Sequence, residues 1–162
     1  MKYASLLLLL LSGCGATNAQ VREFLGTDIV RILETADRVE AIRVDGSLES
    51  RDSVEEKIGD YPITSVGPAL SAEQIATLRG LIFDEANWQF DLAKACEFMP
   101  GVDYRFMVED EQVDVLLCFS CDEWGFLHNG RMCIEDNDRA RPALLRLARE
   151  SFPDDAALRD LR

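Results

Sequence analysis

Five side chains of this 162-residue chain have types and spacings that invite chemistry: Cys96, Cys118, Cys121, Cys133 and His128. Cys118-Phe119-Ser120-Cys121 is a Cys-x-x-Cys pair, the spacing of thiol–disulfide redox centres, where a lowered thiol pKa turns one sulfur into a nucleophile. Cys96, Cys118, Cys121 and His128 also make up three thiolates and one imidazole, a donor set suited to tetrahedral zinc. The third chemistry is a structural disulfide. The compartment in which the chain resides decides among the three, because thiols stay reduced in the cytosol and pair in oxidising spaces.

The N-terminus supplies an address. Met1-Lys2-Tyr3-Ala4-Ser5 leads into the leucines Leu6 to Leu11, followed by Ser12-Gly13-Cys14. One positive charge, a short apolar run and small residues form the pattern of a secretory signal. The run is too short to cross a bilayer core of ~30 Å as a helix. Leu11-Ser12-Gly13-Cys14 resembles the lipobox of bacterial lipoproteins, a leucine and two small residues before the modified cysteine. The resemblance implies cleavage after residue 13, a diacylglycerol on the Cys14 sulfur and a further palmitate-type acyl chain on its new amino group. Two or more acyl chains hold a protein at a membrane where one does not. Gly15, where an Asp would favour the inner membrane, implies the periplasmic side of the outer membrane. An ordinary signal cut near Ala16-Thr17-Asn18-Ala19, releasing a secreted protein, is the alternative. The expected organisation is a signal peptide at 1–13, a lipidated cysteine and tether at 14–20, and one globular domain at 21–162.

The elements that must position the cysteines follow from periodicity. Val21, Phe24, Leu25, Ile29, Ile32, Leu33 and Ala36 make one helical stripe, which Gly26 weakens by ~1 kcal/mol. Residues 39–44 read as a short strand and 45–59 as a polar loop. Tyr61 to Val66 reads as an edge strand, the position that tolerates Pro62. Ser71-Ala72-Glu73-Gln74 is a capping-box pattern ahead of a helix bearing Ile75, Leu78, Leu81 and Ile82. Residues 102–134 alternate in hydrophobicity and contain Asn129-Gly130, a two-residue hairpin signal. They predict a four-stranded antiparallel meander. A last helix carries Leu144, Leu145, Ala148 and Phe152, with Asp138 as its N-cap, and Asp154 caps a short helix after it. The fold class is α+β, an antiparallel sheet with helices packed on one face.

The meander orders the cysteine pairings. A turn at 109–112 sets Phe106 opposite Val115, and Phe119 then aligns with Phe126. Cys121 falls near Pro100, and Cys96 lies just upstream. Cys121 and Cys133 stand two strands apart, roughly 9–10 Å, beyond the ~7 Å reach of a disulfide. In a continuous strand Cys118 and Cys121 point to opposite faces. Cys96–Cys121 is the preferred bridge, Cys96–Cys118 the alternative, and Cys133 is left as a free buried thiol. The redox motif ordinarily opens a helix, whereas Cys118 ends an apolar strand, and the zinc spacing matches no tight knuckle.

Lys94-x-Cys96-x-Phe98-x-Pro100, Cys118-Phe119-x-Cys121 and Phe152-Pro153-Asp154 together resemble a family of uncharacterised bacterial proteins, many of them exported. The resemblance spans roughly residues 60–162, omits Cys133 and brings no activity with it. Motifs of hydrolases, metalloproteases, nucleotide-binding loops and dinucleotide folds are missing from the sequence. Glu135-Asp136-Asn137-Asp138 fails the EF-hand spacing, with Ala140 where an oxygen ligand belongs. His128, beside the Asn129-Gly130 turn, reads as a solvated turn residue, and Trp88 and Trp124 as core or rim packing. With 30 acidic and 17 basic residues the net charge is −13, which disfavours nucleic acid and favours a basic protein or envelope partner. The expectation is a non-enzymatic, membrane-anchored binding or structural domain with no cofactor. Its alternatives are a redox factor on Cys118 and Cys121 or a small zinc domain on Cys96, Cys118, Cys121 and His128.

Overall fold

The computed structural model describes residues 18–50, 52, 56–92 and 94–162. The expected signal peptide and the lipidated Cys14 lie outside the described residues. Among those described, five α-helices accompany seven strands. All seven strands form one antiparallel sheet in the order β2-β3-β1-β4-β5-β6-β7, comprising β1 Arg38–Val44, β2 Lys57–Ile58, β3 Tyr61–Ala69, β4 Val102–Val108, β5 Glu111–Cys118, β6 Glu123–His128 and β7 Arg131–Asp136. The α+β class is as expected. The sheet is larger than the four strands expected of 102–134, because β1 hydrogen-bonds to β4 and carries β3 and β2 with it. The polar stretch 45–59 is accordingly not all loop. It contains a 3-10 turn at Leu48–Ser50 and strand β2, whose two residues cover the start of β3.

The helical stripe starting at Val21 divides into α1, Ala19–Leu25, and α2, Thr27–Thr35. Gly26 between them has φ +80°, a left-handed value that favours glycine and ends a right-handed helix. The break lets Val21, Leu25, Ile32 and Leu33 all reach the core. Helix α3, Ala72–Phe83, begins with the complete capping box. Gln74 N donates to Ser71 Oγ at 3.3 Å, and Ser71 N donates to Gln74 Oε1 at 3.0 Å.

Helix α4, Arg141–Ser151, starts with Ala140 at its N-cap, not Asp138. The carbonyl of Asn137 accepts from Ala140 N and Arg141 N, which leaves the Asp138 carboxylate available elsewhere. Helix α5, Ala156–Asp160, is capped by Asp155 through Leu158 N, not by Asp154. Asp155 also pairs with Arg43 of β1 at 2.8 Å, fixing the C-terminus to the sheet.

The two faces of the sheet differ. The main core joins all five helices to one face, built from Val39, Tyr104, Phe106, Val115, Leu117, Trp124 and Phe126 among others. Trp88 and Trp124 meet inside it, with ring centroids 4.5 Å apart, as core packing. The opposite face carries a second, smaller cluster of Ile42, Val44, Ile58, Tyr61, Phe98, Leu116, Cys118 and Cys121. No helix covers it. Loops do, and the candidate chemistry lies on this side.

Candidate functional site

The cysteines come first. Cys96 and Cys121 form a disulfide with Cα atoms 6.0 Å apart, the preferred pairing. The register that leads there differs from the expected one. Glu109, with φ 51°, makes a two-residue turn with Asp110, so Phe106 faces Val113 and not Val115. Phe126 then faces Val115 and not Phe119, while its pairing with Cys133 is as expected. Strand β5 stops at Cys118, and residues 119–122 turn, with Asp122 at φ 55°. The turn brings Cys118 and Cys121 into the same small cluster, where a continuous strand would send them to opposite faces. Cys118 is buried and Cys133 half-buried, and neither is bridged. Burial pushes the Cys133 thiol above its ordinary pKa.

This arrangement does not assemble the alternative sites. Cys121 is bonded to Cys96, so Cys118-x-x-Cys121 is not a closed redox pair. His128 sits at the far end of β6 from Glu123, the partner of Cys118, roughly 17 Å away at ~3.4 Å per residue. Its Nδ1 lies 2.8 Å from Gln112 O, at the hairpin tips. Among the described residues no cluster of three or more His, Cys, Asp or Glu side chains is arranged to hold a metal ion.

The residues of the Lys-x-Cys-x-Phe-x-Pro motif build a strap across the second face. Lys94 Nζ donates to the carbonyl of Cys121 at 2.7 Å and that of Asp122 at 3.3 Å, and it pairs with Asp138 at 2.6 Å and with the buried Asp136. Burial alone would lower the Lys94 pKa. The two carboxylates overcome that and hold it above the ordinary lysine value. Two residues on, Cys96 bonds to Cys121. Two further on, Phe98 lies over Gly125, where a Cβ would sit 2.9 Å from the Phe98 ring, and meets Tyr61 edge-on at 6.2 Å. At Gly46 a Cβ would fall 2.5 Å from the backbone of Met99 and Pro100. The period of two in the motif is thus an extended segment with one side turned to the sheet.

Beyond the strap the same face opens into a groove of about 590 Å³. Three hairpin tips ring it: Gly59-Asp60, Glu109-Asp110 and Asn129-Gly130. The first tip lies over Leu127, whose Cδ2 would stand 3.3 Å from a Cβ at Gly59. The floor holds Arg105, Asp114, Leu127 and Met132. Arg105 Nε donates to Asp114 Oδ1 at 2.6 Å, and Gln112 Nε2 donates to Asp114 Oδ2 at 3.1 Å. One ladder step behind them is Asp103, fully buried between Ile42 and Leu116, with no hydrogen-bond partner of good geometry on either carboxyl oxygen. Burial pushes its pKa well above the carboxylate range; the Asp114 carboxylate adds to this and Arg105 opposes it.

The alternation of 102–134 alone does not single out Asp103, Arg105, Asp114 or the groove. The available signal was Asp103-x-Arg105 and Asp114 on one face of adjacent strands. It becomes informative only once the register and the overlying β2–β3 turn are known.

Asp103 gives a direct expectation for stability. Its folded pKa is raised, so above its unfolded value near ~3.9 the folded state binds more protons than the unfolded one. Its favourable contribution is complete below that value and is lost as pH rises toward the folded pKa, by at most about 1.4 kcal/mol per pH unit for one proton. Urea unfolding between pH 5 and 8 should show wild-type stability falling relative to D103N, in which this titration is removed. Parallel pH profiles for the two proteins would contradict the assignment.

No known protein family, curated protein or solved structure matches this chain.

Proposed function

We propose that this chain is an exported, lipid-anchored domain of the bacterial cell envelope, held at the periplasmic side of the outer membrane through Cys14, and that it binds a basic partner rather than catalysing a reaction. The observation that carries this reading is the Cys96–Cys121 disulfide, which suits an oxidising compartment and agrees with the Leu-Ser-Gly-Cys segment at residues 11–14. Among the described residues no helix is long and apolar enough to cross a membrane, so in this reading the attachment is the acyl chains. The spacing around Lys94 and Cys96 is accounted for by fastening, and the acidic excess supplies the attraction for a partner. The resemblance to uncharacterised exported proteins adds the same location and no activity.

The test is fractionation with intact mass. The wild-type chain expressed in a bacterium should partition with the outer membrane and carry diacylglycerol and acyl mass on a chain beginning at Cys14. C14S should lose both and remain unprocessed or soluble. Membrane partitioning of C14S with an acyl mass would overturn the anchor.

A further inference from the structure

We infer that the groove between the three hairpin tips is a docking site for a basic side chain, arginine or lysine, presented by a partner protein. The inference rests on the binding reading above and gives it a location and a ligand chemistry.

Four carboxylates line the groove, Asp60, Asp110, Glu111 and Asp114, against the two cations Lys57 and Arg105. Internal pairs account for part of this charge. Asp114 is held by Arg105, and Glu111 takes both its oxygens to Arg31 at 2.8 Å. Asp60 and Asp110, exposed at the tips, remain to attract a cation from solvent. Among the residues that line it, the groove therefore carries more carboxylates than cations.

The floor is not purely polar. Leu127 and Met132 form an apolar strip there, and Met132 is 40% exposed although it sits in a strand. A strip of that kind beside carboxylates suits an amphipathic side chain, which lays its methylene stem on apolar surface and carries its charge to the end. Arginine and lysine have that form. The cavity of about 590 Å³ also has room for the backbone on either side of such a residue, as a protein ligand requires. A second copy of this chain is a poor occupant, because each copy carries a net charge of −13.

The experiment is a ¹⁵N NMR titration of the full chain in detergent micelles with acetyl-Gly-Arg-Gly-amide, its glutamyl counterpart, and spermidine. The arginyl peptide should give saturable shifts at Asp110, Gln112, Asn129 and Gly130. Its apparent Kd should weaken roughly ten-fold in D60N/D110N, and weaken again as the Debye length falls from ~10 Å at 0.1 M salt to ~3 Å at 1 M. E73Q, on the exposed outer side of α3, should bind as wild type does. Absent shifts, shifts scattered without saturation, equal shifts with the glutamyl peptide, or binding of spermidine without the arginyl peptide would each overturn the inference. Loss of lipidation in the C14S test leaves this result untouched, and a failed titration leaves the anchor untouched, so the two readings fail separately.

Discussion

Cys96→Ser is expected to lower the melting temperature by about 6–12 °C, whereas Cys133→Ser changes it by no more than a few degrees. The bridge closes a loop of 25 residues, and chain entropy for a loop of that size is worth about 3 kcal/mol. In a domain of this length each kcal/mol moves Tm by about 2–4 °C. Cys133 bonds to nothing covalently, and its half-buried thiol gives up little on conversion to a hydroxyl. Thermal unfolding of the two variants without reductant checks this, and equal losses would contradict it. Reductant should lower wild type to the level of C96S and leave C96S where it is.

A loss of similar size is expected from Lys94→Met, about 3–5 kcal/mol, read as a shift in the urea midpoint. The replacement keeps most of the volume and removes the ammonium. The Asp136 side chain is only 1% exposed, and without Lys94 its carboxylate is buried with its counter-charge gone. Gln89 and the backbone of Asp138 still hold Oδ1, and Oδ2 is left unsatisfied. K94M/D136N should recover much of the loss, since a neutral amide does not need the ammonium. If K94M unfolds within 1 kcal/mol of wild type, the cage is a surface ion pair of little worth. Lys94 also donates to the carbonyl of Cys121, so K94M and C96S release the same segment and their effects should not add.

Local signals carried the helices and most strands. The capping box at Ser71, the hairpin at Asn129-Gly130 and the alternation of 102–134 each depend on neighbours in sequence, and the structure places helix and strands there. The misread places share a cause. Glu109 and Asp122 adopt left-handed backbone without being Gly, the residue that most often marks it. The first shortens the β4–β5 turn and moves the register by two residues. The second turns the chain after Cys118. The pairing of Cys96 with Cys121 does not depend on that register, because the strap runs directly into the start of β4 at Val102.

The groove and the Lys94 cage were hidden for a different reason. Asp114, Arg105 and Asp136 look like the polar side of a half-exposed sheet. Asp114 and Asp136 are buried and Arg105 half-buried, beside β2, the strap and the loop before α4, segments whose position depends on contacts distant in sequence. The preference of Asp138 for Lys94 over the helix N-cap is such a contact, and no local pattern announces it.

The ending of β5 at Cys118 bears on how the chain is oxidised. Cys118 and Cys121 stand three residues apart in sequence, and Cys96 is bonded to the second. Once β5 pairs with β4 and β6, Cys118 is a strand residue, buried in the small cluster beside Leu116. Cys121 stands past the strand end, on the turn that approaches the strap. The end of β5 thus separates the two sulfurs of Cys118-x-x-Cys121 by role: the one inside the strand stays a thiol, and the one beyond it ties the turn to the strap.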